Sequence, residues 1–160
     1  MLIRDFEERD IAPAATLTNH YIQHTAVHFG MHPYSPEEFG AIWLGRDVYP
    51  WLASEIDGQF AGYAKGARWR ERDAYAKTIE VGLYVDSVFH NKGVGKALYT
   101  ELLSRAKNAG FHTAVGGITM PNEGSVRLHE SMGFTKVGVF REVGRKFDQW
   151  HDTGWWQLIL

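Results

Sequence analysis

The segment from Tyr84 to Leu98 carries the most suggestive chemistry in this chain. An apolar strand leads into a short loop that ends in Gly93-Val94-Gly95, and an amphipathic helix follows at once. The first N–H groups of a helix have no partner within it, and the helix dipole makes that end positive. Two glycines let a ligand approach the backbone closely. The segment is therefore a candidate phosphate-binding loop, although turn chemistry and close helix–sheet packing explain a Gly-x-Gly equally well.

Two common phosphate-binding motifs do not fit this loop. A Walker loop has a glycine five residues before the glycine of its Gly-Lys pair and a hydroxyl residue after the lysine. Here the pair is Gly95-Lys96, but the two other positions hold His90 and Ala97. A dinucleotide-binding loop has a third glycine where this chain has Leu98. The sequence therefore disfavours a nucleoside triphosphate and a dinucleotide.

Composition narrows the class of protein that must position this loop. A length of 160 residues with 44% hydrophobic residues predicts a single domain, residues 1–160, with a real core. A formal charge of −2 gives no support to nucleic-acid binding. The absence of cysteine excludes disulfides, thiolate zinc sites and a cysteine nucleophile. No signal-like or membrane-spanning apolar segment is found, so we expect a cytoplasmic protein without membrane contact.

Hydrophobic periodicity and turn residues predict a mixed α/β order around the loop. Ser35, Pro36 and Glu38 form a capping-box start for the second helix, and Asp57-Gly58 predicts a hairpin turn. The predicted order is strand 2–5, helix 8–24, a helix from Ser35, strands 51–56, 59–68 and 78–85, helix 94–109, strand 113–119, a short helix between Asn122 and Gly133, and strands 135–140 and 155–160.

This order, with a Gly-x-Gly loop after the fourth strand, resembles the GNAT superfamily of N-acetyltransferases. In that family the loop carries Gln/Arg-x-x-Gly-x-Gly/Ala, and its amides hold the pyrophosphate of acetyl-CoA. This chain matches at Gly93 and Gly95 but has His90 where Gln or Arg is usual, which implies an effect on affinity more than on function. Asn122, followed by a helix that ends in Gly133-Phe134, resembles the second family signature. The resemblance implies a single GNAT domain with a mostly antiparallel mixed sheet flanked by helices.

Further segments resemble the phosphinothricin and methionine sulfoximine acetyltransferases, which acetylate the α-amine of small amino acids. No single segment is specific, but their order and spacing together are. These segments are Asn19-His20-Tyr21, Tyr49-Pro50-Trp51-Leu52, Gly62-Tyr63-Ala64, Arg72-Asp73-Ala74-Tyr75, Thr78-Ile79-Glu80, residues 122–130, Trp150-His151-Asp152 and Trp155-Trp156-Gln157.

The resemblance assigns roles to specific residues. Glu80, among apolar strand neighbours that tend to raise a carboxyl pKa, is the expected general base, and the alternative is a strand glutamate that faces water. His129 is the expected partner in proton transfer, and the alternative is a structural histidine. The expected acetyl-CoA contacts are Leu83, Tyr84, Val85, His90, Asn91, Lys92, Gly93, Val94, Gly95, Lys96, Asn122 and Ser125. A backbone N–H of the 83–85 stretch is expected to polarise the thioester carbonyl. Asn122 also suits a helix N-cap.

An amino-acid substrate brings a carboxylate, which an arginine holds well with two parallel hydrogen bonds. Arg72 is the first choice for this role, together with Phe29, Tyr75 and Thr78 as substrate-binding residues on the resemblance. For Arg68 and Arg70, which stand just before them, a solvated basic hairpin is the preferred interpretation.

Two further features leave alternatives open. His20, His24 and His28 would share one face if they lay on a helix, but no acidic or cysteine ligand joins them, and we expect no metal. Family members of this type are often homodimers, and we expect one here. Trp150, Trp155 and Trp156 would supply either an apolar interface or the core. The competing functions are acetylation of another amine, such as a polyamine or a protein N-terminus, and acetyl-CoA sensing without turnover.

Overall fold

A computed structural model describes residues 1–160 and shows one seven-stranded mixed sheet with helices on both faces. The strands are ordered β1-β2-β3-β4-β5-β7-β6, and every neighbouring pair is antiparallel except β4 and β5. The predicted mixed, mostly antiparallel sheet is therefore confirmed. The elements are β1 (Leu2–Asp5), α1 (Ile11–His24), α2 (Pro36–Leu44), β2 (Trp51–Ile56), β3 (Gln59–Arg68), β4 (Thr78–Val85), α3 (Val94–Asn108), β5 (Thr113–Met120), α4 (Glu123–Ser131), β6 (Thr135–Lys146) and β7 (Gln149–Ile159).

The helix ends follow the local sequence signals. Ser35 accepts the N–H of Glu38, and the Glu38 carboxylate accepts the N–H of Ser35, which is the predicted capping box. Gly110 has a φ of 84°, as expected just after a helix. One helix boundary differs from the prediction: residues Glu8–Asp10 form a single 3₁₀ turn, and α1 starts only at Ile11.

Strands β6 and β7 are longer than predicted. The sequence pattern predicts strands 135–140 and 155–160, whereas the two strands form a hairpin that extends to Lys146 and back from Gln149. The extra length was missed because residues 141–148 are mostly charged or polar and read as a loop. Glu142 has a φ of 52° at an irregularity in the pairing, which also interrupts the alternating pattern.

Alternating side chains of the sheet build two apolar cores. Helices α3 and α4 pack on one face, where Leu52, Ile79 and Leu98 belong to the larger cluster. Helices α1 and α2 pack on the other face, where Phe39 and Tyr63 belong to a smaller cluster. No helix is both long and apolar enough to cross a membrane.

Strands β4 and β5 separate after a short parallel contact. Only residues 78–80 pair with residues 113–115, although β4 continues to Val85 and β5 to Met120. The sheet therefore opens between the two central strands beyond Glu80.

Candidate active site

The opening between β4 and β5 exposes backbone groups that a ligand can use. Hydrogen-bonding groups of successive strand residues point to alternate sides. The N–H of Asp86 bonds the carbonyl of Ala61 on β3, so Tyr84 and Gly82, at the same parity, also pair with β3. The backbone groups of Leu83 and Val85 therefore face the opening, and the Val85 carbonyl there accepts the Tyr21 hydroxyl at 2.9 Å.

Glu80 lies at the last paired position before the strands separate, opposite Val115. Its carboxylate lines a cavity of about 550 Å³ together with His28, Phe29, Arg70, Tyr84 and Trp155. Burial raises the pKa of Glu80, while the positive charges of Lys65 and Arg70 act in the opposite direction. The alternative of a glutamate that simply faces water does not describe this partly buried side chain.

A narrow cleft of about 80 Å³ lies in the opening itself. Leu83, Tyr84, Asn122, Ser125 and His129 line it. Residues Val27, Tyr84, Gly117 and Thr119 line both this cleft and the Glu80 cavity, so the two spaces meet. A ligand in the cleft would therefore have its end beside the cavity that contains Glu80.

His129 is buried and held at both ring nitrogens. Nδ1 lies 2.8 Å from the carbonyl of Ser125, which can only accept, so Nδ1 carries the proton. Nε2 then accepts the hydroxyl of Tyr99 at 3.2 Å. Burial lowers the pKa of His129 and raises that of Tyr99, so both side chains are neutral near pH 7. Tyr99 was missed in the sequence because it reads as one more apolar position of α3.

Asn122 occupies its alternative position as the N-cap of α4. Its Oδ1 accepts the N–H of Ser125 at 3.1 Å, and the side chain also lines the cleft. The two roles considered for Asn122 are therefore compatible in the structure.

The Gly-x-Gly loop has the geometry of a ligand cradle. Asn91 and Gly93 have φ values of 60° and 80°, and a Cβ added at Gly93 would meet no atom within 4 Å. Gly95 is closely packed, because a Cβ there would lie 3.1 Å from the Leu83 side chain and 3.2 Å from the Leu128 side chain, and both would have to shift. The first turn of α3 leaves its N–H groups unpaired. These open N–H groups, with Lys92 and Lys96 beside them, fit a pyrophosphate.

His90 is exposed at the start of this loop. Its Nε2 lies 3.0 Å from the Val85 carbonyl and 3.4 Å from the Tyr21 hydroxyl. The imidazole therefore joins the loop to the end of β4, a contact that the sequence did not suggest.

The predicted substrate residues fall into different places. Phe29 lines the Glu80 cavity. Tyr75 and Thr78 line a second cavity of about 550 Å³, which shares Arg70, Phe140 and Trp155 with the first. Arg72 lines neither of these cavities, but it lines a third cavity of about 570 Å³ together with Arg70 and Tyr75.

Arg70 and His28, which the sequence did not predict as substrate-site residues, line the Glu80 cavity. Arg70, interpreted as part of a solvated hairpin, is exposed but also lines both cavities. His28, considered only within a histidine trio, lines the first, and its Nδ1 accepts the N–H of Gly30 at 2.8 Å. Burial, together with Lys65 and Lys146, lowers the pKa of His28 to about 4, so the imidazole is neutral and carries its proton on Nε2.

The histidine trio and the tryptophans also have defined places. Helix α1 ends at His24, so His28 lies in the following loop and does not share a helix face with His20. No three His, Cys, Asp or Glu side chains approach closely enough to hold a metal. Trp156 is buried in the core, Trp155 lines the cavities, and Trp150 is 60% exposed.

The known proteins that resemble this chain in sequence are acetyltransferases. The acetyltransferase (GNAT) domain family matches residues 3–155. The phosphinothricin N-acetyltransferase of Streptomyces viridochromogenes is 39% identical over 160 residues, covering 97% of this chain and 85% of that protein. The L-methionine sulfoximine/L-methionine sulfone acetyltransferase of Salmonella typhimurium is 35% identical over 162 residues, covering 100% of this chain and 95% of that protein.

Solved structures show the same architecture. A ribosomal-protein-alanine N-acetyltransferase from Brucella melitensis has a TM-score of 0.96 at 31% identity and covers 100% of both chains. A GNAT superfamily phosphinothricin acetyltransferase from Sinorhizobium meliloti, in complex with AcCoA, has a TM-score of 0.96 at 26% identity and covers 99% of this chain and 88% of that chain.

The mixed sheet that opens between its central strands, with a glycine loop at the opening, belongs to the same architecture as these N-acetyltransferases. The chain belongs to the GNAT acetyltransferase family. The predictions of the family and of N-acetyltransferase activity are thus confirmed.

Proposed function

We propose that this protein acetylates the α-amine of a small amino acid such as phosphinothricin, methionine sulfoximine or methionine sulfone, by direct transfer from acetyl-CoA. The position of Glu80 carries the proposal. The carboxylate stands where β4 leaves β5, in the cavity that meets the cleft lined by Leu83 and His129. The relatives named for these amino acids support the choice of substrate.

Acetyl-CoA, when bound, supplies an activated acetyl group. The residues that would hold it are Leu83 and Val85, whose backbone faces the opening, the loop 90–96, and Asn122 and Ser125 at the other side of the cleft. The unpaired N–H groups at the start of α3 suit a pyrophosphate, and the strand backbone that faces the opening suits an amide-rich arm. A backbone N–H of Leu83 or Val85 is fixed in place and polarises a carbonyl without reorganisation.

Glu80 acts as the general base. The α-amine arrives as an ammonium, which has no lone pair to donate, so a carboxylate must take one proton. The raised pKa of Glu80 brings it closer to neutral pH, where a base is most effective. Holding the amine and the thioester in line, across the residues that line both the cleft and the cavity, lowers the activation barrier as well. In favourable cases this effect reaches roughly 7–11 kcal/mol.

The proton for the departing sulfur comes from the Tyr99–His129 pair in this proposal. The Tyr99 hydroxyl donates to Nε2 of His129 within the cleft. The Tyr99 O–H bond breaks as the S–H bond forms, and the phenolate, which burial disfavours, takes the second proton of the substrate nitrogen, so the pair ends neutral.

We propose that Arg70, rather than Arg72, binds the substrate carboxylate. Phe29, Tyr75 and Thr78 then form walls of the substrate site. Arg70 lines both cavities and lies near enough to Glu80 to lower its pKa. A guanidinium there holds a carboxylate and leaves the α-amine beside the base.

A homodimer is also proposed. Strand β6 is an edge strand of 12 residues, and Val137, Phe140 and Trp150 on the β6–β7 hairpin are 64%, 58% and 60% exposed. Large apolar side chains exposed at a sheet edge are normally covered. Sedimentation should give twice the chain mass, and a monomer at micromolar concentration would contradict the proposal.

The experiment that tests the function is a substrate panel. Purified protein is given acetyl-CoA and, separately, phosphinothricin, methionine sulfoximine, methionine sulfone, the standard L-amino acids, spermidine and a peptide with an N-terminal alanine. Thiol release and the mass of the product are followed. Acetylated amino acids support the proposal, and the absence of turnover on every amino acid overturns it.

A second candidate is acetylation of a protein N-terminus. The structural similarity to a ribosomal-protein-alanine N-acetyltransferase favours it. Turnover of the peptide well above that of every amino acid would support this candidate. Acetyl-CoA binding by calorimetry with no turnover on any amine would instead support a sensor.

A further inference from the structure

Lys146 is a buried lysine that the proposed reaction does not use. It ends β6, where its neighbours Arg145 and Phe147 are exposed, yet Lys146 itself is only 3% exposed. Its Nζ donates to the carbonyl of Ile22 at 2.6 Å and to the carbonyl of His28 at 2.6 Å. A buried ammonium therefore has main-chain partners on a distant part of the chain.

The first partner explains why a cation is stable there. Ile22 lies in the last turn of α1, where carbonyls have no partner within the helix and the helix dipole is negative. Lys146 satisfies one of these carbonyls from outside the helix. Burial lowers the pKa of Lys146.

The second partner connects Lys146 to the proposed substrate cavity. His28 and Phe29 belong to the segment 25–30 that follows α1, and both line the cavity that contains Glu80. Gly144, two residues before Lys146, touches the same segment, because a Cβ added there would lie 2.4 Å from the Phe29 ring. The end of the β6–β7 hairpin therefore contacts the segment 25–30 at two residues, Lys146 and Gly144.

We propose that Lys146 is a positioning residue for the amino-acid site, which clamps the segment 25–30 so that His28 and Phe29 form a fixed wall of the cavity. The effect on substrate rests on the proposed function, whereas the clamping itself does not. An ammonium has three donors, so Lys146 can bond both carbonyls at once. Gly144 completes the clamp by leaving room for the Phe29 ring.

The test compares Lys146→Met, which keeps the length but loses the donors, with Lys146→Arg, which keeps them. Arg141→Met, an exposed change on the same strand, is the control. Hydrogen exchange reports on the clamp without any substrate. Lys146→Met should speed amide exchange in residues 25–30 about tenfold or more, with β4 and α3 unchanged. Unchanged exchange in that segment overturns the proposal, whatever the substrate panel shows.

Kinetics then separate positioning from general destabilisation. Lys146→Met should raise KM for the amino acid about tenfold and leave KM for acetyl-CoA unaltered, with recovery in Lys146→Arg. Equal changes in both KM values would overturn the proposal. Should Lys146→Met fail to fold, Gly144→Ala moves Phe29 while Lys146 stays, and it must raise the same KM. An unchanged KM for the amino acid in Gly144→Ala would also overturn the proposal.

Discussion

The Tyr99 hydroxyl lies 3.2 Å from Nε2 of His129, and the two side chains are 1% and 4% exposed. Because Nδ1 of His129 is committed to the Ser125 carbonyl, the only proton available between the two rings is that of Tyr99. The pair joins α3 to α4 directly beneath the opening of the sheet.

Tyr99→Phe should lower kcat by about tenfold to a hundredfold, because it removes the proton that the pair supplies. Tyr63→Phe is a matched control, since Tyr63 is equally buried and loses a bond to Thr18 in the other core. Steady-state kinetics with thermal melts give the comparison. Equal kcat values for the two variants would show that Tyr99 is only structural.

Gly116→Ala should have a similar effect on kcat. A Cβ at this position would lie 2.5 Å from Nε2 of His129 and must displace the imidazole. A crystal structure of the variant would show the displaced ring. A displaced ring with full kcat would remove His129 from the mechanism.

Lys65→Met should shift the acidic limb of the pH profile of kcat/KM to higher pH. Activity rises as Glu80 loses its proton, and Lys65 and Arg70 lower its pKa by charge, so loss of either cation raises it. The expected shift is about half a unit to one unit. His28, which faces the same cavity, is neutral above its pKa of about 4, and Tyr84, with a raised pKa, stays protonated. Lys77→Met, an exposed change, is the control, and an unmoved limb in Lys65→Met would argue against Glu80 as the base.

Gly93→Ala should raise KM for acetyl-CoA with little change in KM for the amino acid. Its φ of 80° is unfavourable for alanine, at a cost of about 1–2 kcal/mol in stability. Gly58→Ala is a matched control, because Gly58 has a φ of 77°, also has open space, and lies in the β2–β3 turn. Similar KM values for acetyl-CoA in the two variants would exclude the loop as the cradle.

Arg70→Gln should raise KM for the amino acid about tenfold, since it removes a charged partner of the carboxylate. Arg72→Gln should leave that KM near the value of the unmodified protein, because Arg72 lines neither cavity. Measurement with one amino acid under saturating acetyl-CoA decides between them. A larger rise in KM for Arg72→Gln than for Arg70→Gln would show that Arg72 binds the carboxylate, as the sequence predicts.

Much of the fold was predictable because its signals are local. The capping box at Ser35, the turn at Asp57 and the glycines of the loop each depend on a few neighbouring residues. The end of the β6–β7 hairpin was missed because its register depends on pairing across the hairpin, at residues with no alternating pattern.

The site was less predictable because it depends on distant contacts. The choice between Arg70 and Arg72 depends on how the turn after β3 folds, which their spacing does not reveal. Tyr99 and Lys146 have partners 30 and 124 residues away. A buried lysine among charged neighbours and a tyrosine on an apolar helix face give no local sign of such partners.

Glu80→Gln, assayed with acetyl-CoA and the best amino acid of the panel, tests the central claim most directly. The amide cannot take the proton of the ammonium, so kcat should fall about a hundredfold or more, with KM for acetyl-CoA unchanged. Glu123→Gln, an exposed change, should retain full activity. An undiminished kcat in Glu80→Gln at neutral pH would contradict the account.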